Sequence, residues 1–424
     1  MLKVATTLVF CIGEGSMVTA LCSVLLDTDV RRRIRKWTGA FGVAALLAAC
    51  ADSSSVFPPL NQPSTPSAGT SQPISGNTIG SGPVRVALIL PLTAANGAVP
   101  AQSLRNAAEM AIAEFNSQDM TIMVKDDRGT PEGAQAAAQE PLAQGAEAIM
   151  GPLFAPTVQS VASVARAAQR PVISFSTDTS VAARGVYLLS FLPQSDVRRI
   201  VSYAASRGKK SFAALIPQSA YGNVAEVEFT QAVAAAGGSV VAVERYQPTK
   251  ASLDAAVAKL KGSMGRADTL FLPDDGNGIP VVAAALRTAG IGGPSVQLIG
   301  TGLWNEERVL KTPSMSGGWF AAPAGTGFQS FAQRYRARFN SDPTRIATLS
   351  YDATALLAAL ARTQGTRRFT EQVLTNPSGF SGQDGVFRFR ADGLNERGLT
   401  IYQVNNGAAM VLQPAPSSFG QAGG

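Results

Sequence analysis

Apolar residues recur along most of this chain in short runs that alternate with longer stretches of helical periodicity. The run "VRVALIL" at 84–90 predicts a buried strand, and the segment after it places Leu104, Ala108 and Phe115 on one face of a helix. Similar short runs, each followed by an amphipathic stretch, continue as far as "VQLIGT" at 296–301. Short apolar strands that alternate with helices predict βαβ units built on parallel sheets.

The alternation restarts after "VYLLSFLP" at 186–193, and this divides the chain into two blocks. Two long helical patterns follow the second block, at 328–340 and 347–363, and the short strands "GVFRFR" and "LTIYQVN" close the pattern. We therefore predict an α/β fold made of two doubly wound parallel-sheet lobes. Ligands of such sheets bind beyond the carboxyl ends of the strands, so the residues just after each strand are the candidates for a site.

A basic cluster at 31–36 is followed by an apolar run at 37–47 and by the sequence Leu47-Ala48-Ala49-Cys50. The apolar run is too short to span a bilayer, which needs about 20 residues. The arrangement resembles the signal peptide and lipobox of bacterial lipoproteins. That resemblance implies cleavage before Cys50 and lipid attachment to its sulfur. The alternative is a buried apolar segment that ends in a chance cysteine.

The segments that flank the folded part are expected to be unstructured. Residues 50–83 begin with the lipidated cysteine and are rich in Ser, Pro, Gly and Thr, with Asp52 as their one charged residue. Such a composition predicts a disordered linker, and we also expect a disordered tail at 413–424. Residues 1–30 do not fit a lipoprotein signal. Either the assigned start lies upstream of the true one, or an additional membrane-associated segment is present.

Composition excludes several kinds of chemistry. The chain contains no histidine, which excludes Ser-His-Asp and Cys-His catalysis and histidine-ligated metal sites. Its cysteines stand at 11, 22 and 50, so the mature domain has no disulfide. Removal of 1–49 leaves 30 Lys and Arg against 26 Asp and Glu, without a basic run that contains aromatic residues. We therefore predict no nucleic-acid partner and no cofactor or metal.

Motifs of known enzymes are incomplete in this chain. Ser206-Arg207-Gly208-Lys209 matches the S-x-x-K of penicillin-interacting enzymes, yet neither S-D-N nor K-T-G follows it. Its place at the end of a predicted helix favours capping by basic residues instead. "GTGLWN" lacks the last glycine of a dinucleotide-binding motif. The sequence thus predicts a protein that is not an enzyme.

Several segments, taken in order, resemble a known family. "VALILPLTAANGAVPAQSLRNAAEMAIAEFN", "IMGPLFAPTVQSVASVA", "RPVISFSTD", "YGNVAEVEFTQAVAAAGGSVV" and "YRARFNSDPTRIATLSYDATALLAAL" are similar to type I periplasmic binding proteins of the leucine/isoleucine/valine-binding branch. The likeness covers about 84–412, and it is closer still to the penicillin-binding protein activator lipoproteins. It implies a periplasmic binding protein-like I fold with a hinge of three crossovers. The implied lobes are 84–194 plus 325–377 and 195–324 plus 378–412.

Two loops of the first lobe are candidates for ligand contacts. "GPLFAPTV" follows a strand and opens a helix whose free N–H groups suit a carboxylate, and "FSTD" follows the next strand. The resemblance implies a serine hydroxyl where Ala155 stands, so that hydroxyl is missing here. The alternative for both loops is ordinary helix or turn capping. The candidate residues are Phe154, Ala155, Thr157, Ser176, Thr177 and Asp178.

Three further candidates lie in the second lobe. Tyr221 matches a crevice tyrosine of the family, although it could also be a hydrophobic staple at a helix start. Asp274 follows the strand "DTLFLP" and could face a cation, or cap a turn. Trp304 lies in "GTGLWNEE", where the resemblance implies a ligand-holding glutamate at the position of Gly302.

Two functions of different classes follow from these observations. The first is a lipid-anchored receptor at the periplasmic face of the inner or outer membrane, which closes its lobes on a small polar ligand such as an amino acid or a cell-wall fragment. It would work with a membrane permease. The second is a penicillin-binding protein activator that regulates a peptidoglycan synthase through surface contacts. The missing crevice groups favour the second function, and the lobe pattern favours neither.

Overall fold

The structure, a computed structural model, describes residues 77–293 and 295–419, which belong to one compact unit. The predicted signal, Cys50 and most of the linker lie outside the described residues. Within the described part of the chain, no helix is both long enough and apolar enough to cross a bilayer.

The described residues form strands and helices in the predicted alternation. The strands are β1 Thr78–Gly80, β2 Val84–Leu90, β3 Met120–Asp126, β4 Ala148–Met150, β5 Val172–Ser174, β6 Val186–Leu188, β7 Ser211–Pro217, β8 Ser239–Tyr246, β9 Thr269–Phe271, β10 Gln297–Gly300, β11 Trp319–Ala322, β12 Phe380–Gly382, β13 Gly385–Phe389, β14 Asn395–Arg397, β15 Thr400–Asn405 and β16 Ala408–Gln413. The α-helices are α1 Ala98–Glu114, α2 Pro131–Ala143, α3 Ala155–Ala167, α4 Pro193–Ser206, α5 Ala220–Ala235, α6 Lys250–Lys261, α7 Gly278–Ala289, α8 Glu307–Leu310, α9 Gly325–Phe339, α10 Ala347–Thr363 and α11 Glu371–Leu374.

The first sheet has the order β1-β3-β2-β4-β5-β6, and all its neighbouring strands are parallel except for β1, which is antiparallel to β3. Side chains of β2 alternate between the two faces of this sheet, because successive side chains of a strand point to opposite sides. Val86 and Leu88 pack toward α1 and α10, whereas Ala87 and Ile89 pack toward α2 and α3. Burial on both faces explains why this strand reads as a continuous apolar run.

The second sheet has the order β16-β15-β11-β10-β9-β7-β8. Strands β7 to β11 are parallel, and the last two strands add an antiparallel edge. Along β7, Ala213 and Leu215 face α6 and α7, while Phe212 and Ile216 face α4 and α5. Each sheet therefore lies between two helical layers, and the predicted α/β class with two parallel-sheet lobes is confirmed.

The chain passes between the two sheets three times. It leaves the first sheet after β6, returns after β11 to form α9 and α10, and leaves again after β14. Strands β12, β13 and β14 form a small antiparallel sheet, and its Phe387 and Phe389 pack in the same hydrophobic cluster as β2. This packing supports a lobe boundary near Gly398, whereas the sequence predicted one at 377.

Two further segments differ from the sequence expectations. Residues 78–80, assigned to the linker, form β1, because the exposed edge of β3 offers backbone hydrogen-bonding partners and Ile79 buries its side chain. Part of the expected tail is also placed. The Ala415 N–H donates to Thr400 Oγ1 at 3.2 Å, and the Phe419 ring lies 4.6 Å from the Arg388 guanidinium.

Candidate functional site

The loop after β4 turns sharply at the carboxyl edge of the first sheet. Gly151 has a φ of +83°, and a Cβ on it would lie 2.0 Å from the Ile89 carbonyl oxygen. Only glycine fits a backbone that approaches its neighbour so closely. Ser174 of β5 donates through its hydroxyl to the Pro152 carbonyl at 3.0 Å, so the loops after β4 and β5 are tied together.

Phe154, Ala155 and Thr157 lie at the start of α3, as the sequence predicted. The half-buried Phe154 ring lies beside Gly97, at the end of the loop that follows β2. Thr157 is fully buried, and its hydroxyl donates to the Phe154 carbonyl at 2.8 Å. The hydroxyl is therefore occupied within the turn. Helix geometry leaves the backbone N–H groups of Ala155 and Thr157 as the donors that an anion could use.

Two of the three candidate residues after β5, Ser176 and Asp178, accept hydrogen bonds that cap turns of the backbone. Ser176 is buried, and its hydroxyl accepts from the Asp178 N–H at 3.2 Å. Asp178 in turn caps the 3-10 helix Thr179–Val181, because its Oδ1 accepts from the Ser180 N–H at 2.9 Å. Thr177 is exposed. The capping alternative therefore accounts for the Ser176 hydroxyl and for Asp178 Oδ1, while Thr177 and Asp178 are both exposed and can contact a ligand.

A buried carboxyl group that the sequence analysis missed lies behind these loops. Asp127 is fully buried after β3, and its Oδ1 accepts from the Gly129 N–H at 2.7 Å. Burial raises the pKa of Asp127 to about 6 and the Asp126 charge adds to the shift, although the hydrogen bond from the Gly129 N–H opposes it. The polar pair Asp126-Asp127 at the end of a predicted strand was the signal that could have identified it.

In the second lobe, Tyr221 lies in the first turn of α5. Its hydroxyl donates to Thr301 Oγ1 at 2.8 Å, and the neighbouring Gly302 N–H donates to Asp196 Oδ2 at 2.9 Å. Burial raises the pKa of Asp196 to about 7, against the lowering effects of the Gly302 N–H and the Arg397 charge. Burial also raises the pKa of Tyr221, and the Asp196 charge adds to that shift. Tyr221 is thus a neutral hydrogen-bonding group beside a carboxyl group.

Asp274 and Tyr221 line one cavity of about 460 Å³ at the carboxyl ends of β7, β8 and β9. Asp274 Oδ2 accepts a hydrogen bond from the hydroxyl of Tyr246, which ends β8, and Asp274 Oδ1 accepts from the Asp275 N–H at 2.9 Å. Burial raises the pKa of Asp274. The sequence analysis missed Tyr246, although its position at a strand end was a usable signal.

Trp304 does not reach this cavity. It is fully buried, and its indole N–H donates to the Leu272 carbonyl at 2.9 Å. The ring packs against Gly300, where a Cβ would lie 2.0 Å from an indole carbon. Trp304 therefore lies in the hydrophobic core of the second lobe. Its ring occupies the space that a side chain at position 300 would otherwise fill.

Charged residues that the sequence analysis did not identify are buried at the crossovers. Arg397, at the end of β14, is 6% exposed, and its Nε donates to the Ser190 carbonyl in the first crossover at 3.1 Å. Its guanidinium lies 4.8 Å from the centre of the Phe191 ring. Asp352 of α10 is 2% exposed, and its Oδ1 accepts from the Gln383 N–H at 2.8 Å. Arg397 therefore joins the first crossover to the third.

Among the described residues, no three acidic or cysteine side chains are grouped as metal ligands. The arrangement instead offers backbone N–H groups on the first lobe, and a cavity with aromatic and carboxylate groups on the second. Such a surface can bind a small molecule by hydrogen bonds and apolar contact.

Comparison with known proteins agrees with this geometry. A family model described as periplasmic binding protein matches residues 83–409. None of the curated proteins matches the sequence closely enough to count as a relative.

Solved structures of low sequence identity share the fold. A putative branched-chain amino acid ABC transporter protein from Rhodospirillum rubrum has a TM-score of 0.69 and 18% identity, over 78% of this chain and 99% of that one. LivJ, a branched-chain amino acid transporter substrate binding protein from Streptococcus pneumoniae in complex with isoleucine, has a TM-score of 0.53 and 20% identity, over 78% and 99%. An ABC transporter solute binding protein from Rhodopseudomonas palustris in complex with 3,4-dihydroxybenzoic acid has a TM-score of 0.55 and 19% identity, over 79% and 98%. Because the family model covers more than half of its length, the chain belongs to the periplasmic binding protein family.

Proposed function

We propose that this protein is a non-catalytic receptor that binds a small polar ligand between its two lobes and closes on it. The observation that carries the proposal is the shared cavity of Tyr221 and Asp274, about 460 Å³ in volume, at the carboxyl edge of the second sheet. That volume lies within the range of about 300–1,000 Å³ that is usual for small-molecule sites.

The first lobe supports the proposal through backbone groups. The start of α3 has no side-chain cap, and Thr157 directs its hydroxyl to the Phe154 carbonyl. The N–H groups of Ala155 and Thr157 therefore suit a carboxylate of the ligand, with Thr177 as an exposed hydroxyl nearby along the sheet edge. A ligand that bonds to both lobes would favour the closed arrangement, because it makes its full set of contacts only there.

The family and the structural neighbours support a role with an ABC importer. Those neighbours are described as branched-chain amino acid and solute-binding proteins of such transporters. We propose the same kind of partner here, with the protein held at the periplasmic face of a membrane by a lipid on Cys50. Residues 51–76 would act as the tether.

Isothermal titration calorimetry on the full chain in detergent micelles tests the receptor function. The panel contains the twenty amino acids, aromatic acids and soluble peptidoglycan fragments. We expect one compound to bind with a micromolar or lower dissociation constant, and Tyr221→Ala to weaken it at least tenfold. Val227→Ala, which shortens an exposed side chain on the same helix, is the matched control. A dissociation constant that is the same in Tyr221→Ala and the wild type would contradict the proposed site.

A second candidate is the regulator of a peptidoglycan synthase. The occupied hydroxyls of Thr157 and Ser176 favour it, because they leave the first lobe with few free side-chain groups for a ligand. Capture of a synthase from solubilised membranes by the full chain, together with no heat from any compound of the panel, would support this candidate and reject the receptor.

A further inference from the structure

The cavity at the carboxyl edge of the second sheet has mainly apolar walls. Pro217, Pro248 and Pro273 follow or end the strands around it, and each limits backbone motion because its ring fixes φ. The rings of Tyr221 and Tyr246 also line it. The remaining apolar lining residues are Leu253, Val281, Val282 and Leu303. These walls suit the hydrocarbon or aromatic part of a ligand.

The charge in this cavity is negative. Asp274 and Asp275 line it, and Lys250, its one lining residue of positive charge, pairs through Nζ with Asp254 outside the cavity. Asp275 Oδ1 accepts from the N–H groups of Asn277 and Gly278 at 2.8 and 3.1 Å, so it caps α7. Asp274 bonds to the Tyr246 hydroxyl and the Asp275 N–H, and each carboxylate oxygen can accept a further hydrogen bond.

A third carboxyl group lies near Tyr221. Asp196 interacts electrostatically with the Tyr221 hydroxyl, and its side chain is half-buried. Arg397 lies close enough to Asp196 to offset part of this charge. Tyr221 therefore lines the cavity of Asp274 and Asp275 and also interacts with the Asp196 charge.

We infer that this cavity binds an organic cation, namely a protonated amine or guanidinium attached to an aromatic or branched apolar body. The inference rests on the proposed receptor function and specifies the class of ligand. A charged donor would form a charge-assisted hydrogen bond with Asp274, and the faces of the tyrosine rings attract a cation. A carboxylate in the same place would lie beside two acids with no free cation among the lining residues.

Three probes of similar shape and different charge test this inference on the full chain in detergent micelles. They are phenethylamine, 2-phenylethanol and phenylacetate, which are positive, neutral and negative at pH 7. We expect phenethylamine to bind at least tenfold more tightly than either of the others in calorimetry. Added salt should weaken its binding more than that of 2-phenylethanol, because ions screen the attraction.

Asp274→Asn isolates the contribution of the carboxylate charge. The amide oxygen can accept from the Asp275 N–H while the amide nitrogen donates to the Tyr246 hydroxyl, so the local shape is retained. We expect phenethylamine to bind about tenfold more weakly to this variant, and 2-phenylethanol to bind about equally to both forms. Glu307→Gln, which removes an exposed charge on α8 in the same lobe, is the matched control and should leave both affinities within twofold.

The outcomes separate the inference from the proposed function. If 2-phenylethanol or phenylacetate binds as tightly as phenethylamine, the ligand class is wrong and the receptor function stands. The same conclusion follows if isoleucine or 3,4-dihydroxybenzoate binds and phenethylamine does not. No binding by any probe or by any compound of the wider panel contradicts both. The wild-type comparison of the three probes decides the matter even if Asp274→Asn does not fold.

Discussion

Arg345 and Asp384 form a two-point ion pair that fastens the small antiparallel sheet to the start of α10. Arg345 Nη1 and Nη2 donate to the two carboxylate oxygens at 3.1 and 2.7 Å, and the Thr348 hydroxyl donates to Asp384 Oδ2 at 2.6 Å. The Arg345 guanidinium also lies 4.3 Å from the centre of the Phe191 ring, in the first crossover. One arginine thus connects a hinge segment to a buried acid of the first lobe.

We expect Arg345→Ala to lower the free energy of unfolding by about 3 kcal/mol, because it removes the ion-pair partner of the fully buried Asp384 carboxylate. Arg336→Ala is the control. Its pair with Asp342 is exposed, so its loss should cost less than about 1 kcal/mol. Urea denaturation followed by circular dichroism measures both variants. Equal midpoints for the two variants would show that the Arg345 pair does not stabilise the fold.

The backbone of Gly151 lies so close to the Ile89 carbonyl that one added methyl group should strongly destabilise the fold. In Gly151→Ala the new Cβ would lie 2.0 Å from the Ile89 carbonyl oxygen, so the strand or the loop must move. Gly185→Ala is a matched control in the same lobe, because Gly185 has a φ of +82° and no atom within 4 Å of its Cβ position. We expect about 1–2 kcal/mol of destabilisation for the control from backbone strain, and at least 2 kcal/mol more for Gly151→Ala. Similar unfolding free energies would contradict the close approach.

Asp352 predicts a dependence of stability on pH. Burial raises the pKa of this carboxyl group from 3.8 to about 7 and the Asp384 charge adds to the shift, while Arg397, Arg345 and the Gln383 N–H oppose it. Between about pH 4 and pH 7 the folded protein therefore holds a proton that the unfolded chain has released. Stability from this group is full at low pH and is lost as pH rises through 7.

The free energy of unfolding should accordingly fall between pH 5 and pH 8. Asp352→Asn should make it fall less, because the amide does not ionise. Asp342→Asn, at an exposed position, should follow the wild type. Urea titrations at several pH values measure all three proteins. A wild type and an Asp352→Asn variant with the same pH dependence would exclude Asp352 as a source of it.

The predicted lipid anchor can be tested on the mature protein. Cys50→Ser should prevent both the lipid attachment and the cleavage before residue 50, so the product should retain the mass of residues 1–49. The wild-type product should begin at Cys50 and carry the added mass of the lipid. Mass spectrometry of the membrane fraction distinguishes the two, with Cys22→Ser as the control. A wild-type product that still contains residues 1–49 would contradict the lipoprotein prediction.

Much of the fold could be predicted because buried parallel strands appear in the sequence as continuous apolar runs. The run 84–90 coincides with β2, since both faces of that strand are covered. The small sheet of β12 to β14 was harder to assign, because its strands are short and few of its side chains, such as Phe387 and Phe389, enter the hydrophobic core of the first lobe. Pairing at a sheet edge, as in β1, depends on backbone groups that leave little trace in the sequence.

The site was predictable where it follows from the ends of strands. Asp274 was identified in this way and Tyr221 through the family resemblance, and the two share a cavity. Trp304 follows a strand too, yet it lies in the core because Gly300 makes room for its ring. The electrostatic interaction of Arg397 with Asp352 could not be predicted from the sequence, because the two residues are far apart along the chain.

Closure of the lobes on a ligand is the central claim, and a distance measurement across them tests it most directly. The sequence after Cys50 contains no cysteine, so spin labels can be attached at Gln135→Cys on α2 and Ala251→Cys on α6, both exposed positions. Pulsed electron paramagnetic resonance then gives the label-to-label distance with and without the compound that binds most tightly in the calorimetric panel. We predict a shift of the distribution to shorter distances when that compound is bound. An unchanged distribution at saturating ligand would contradict the account.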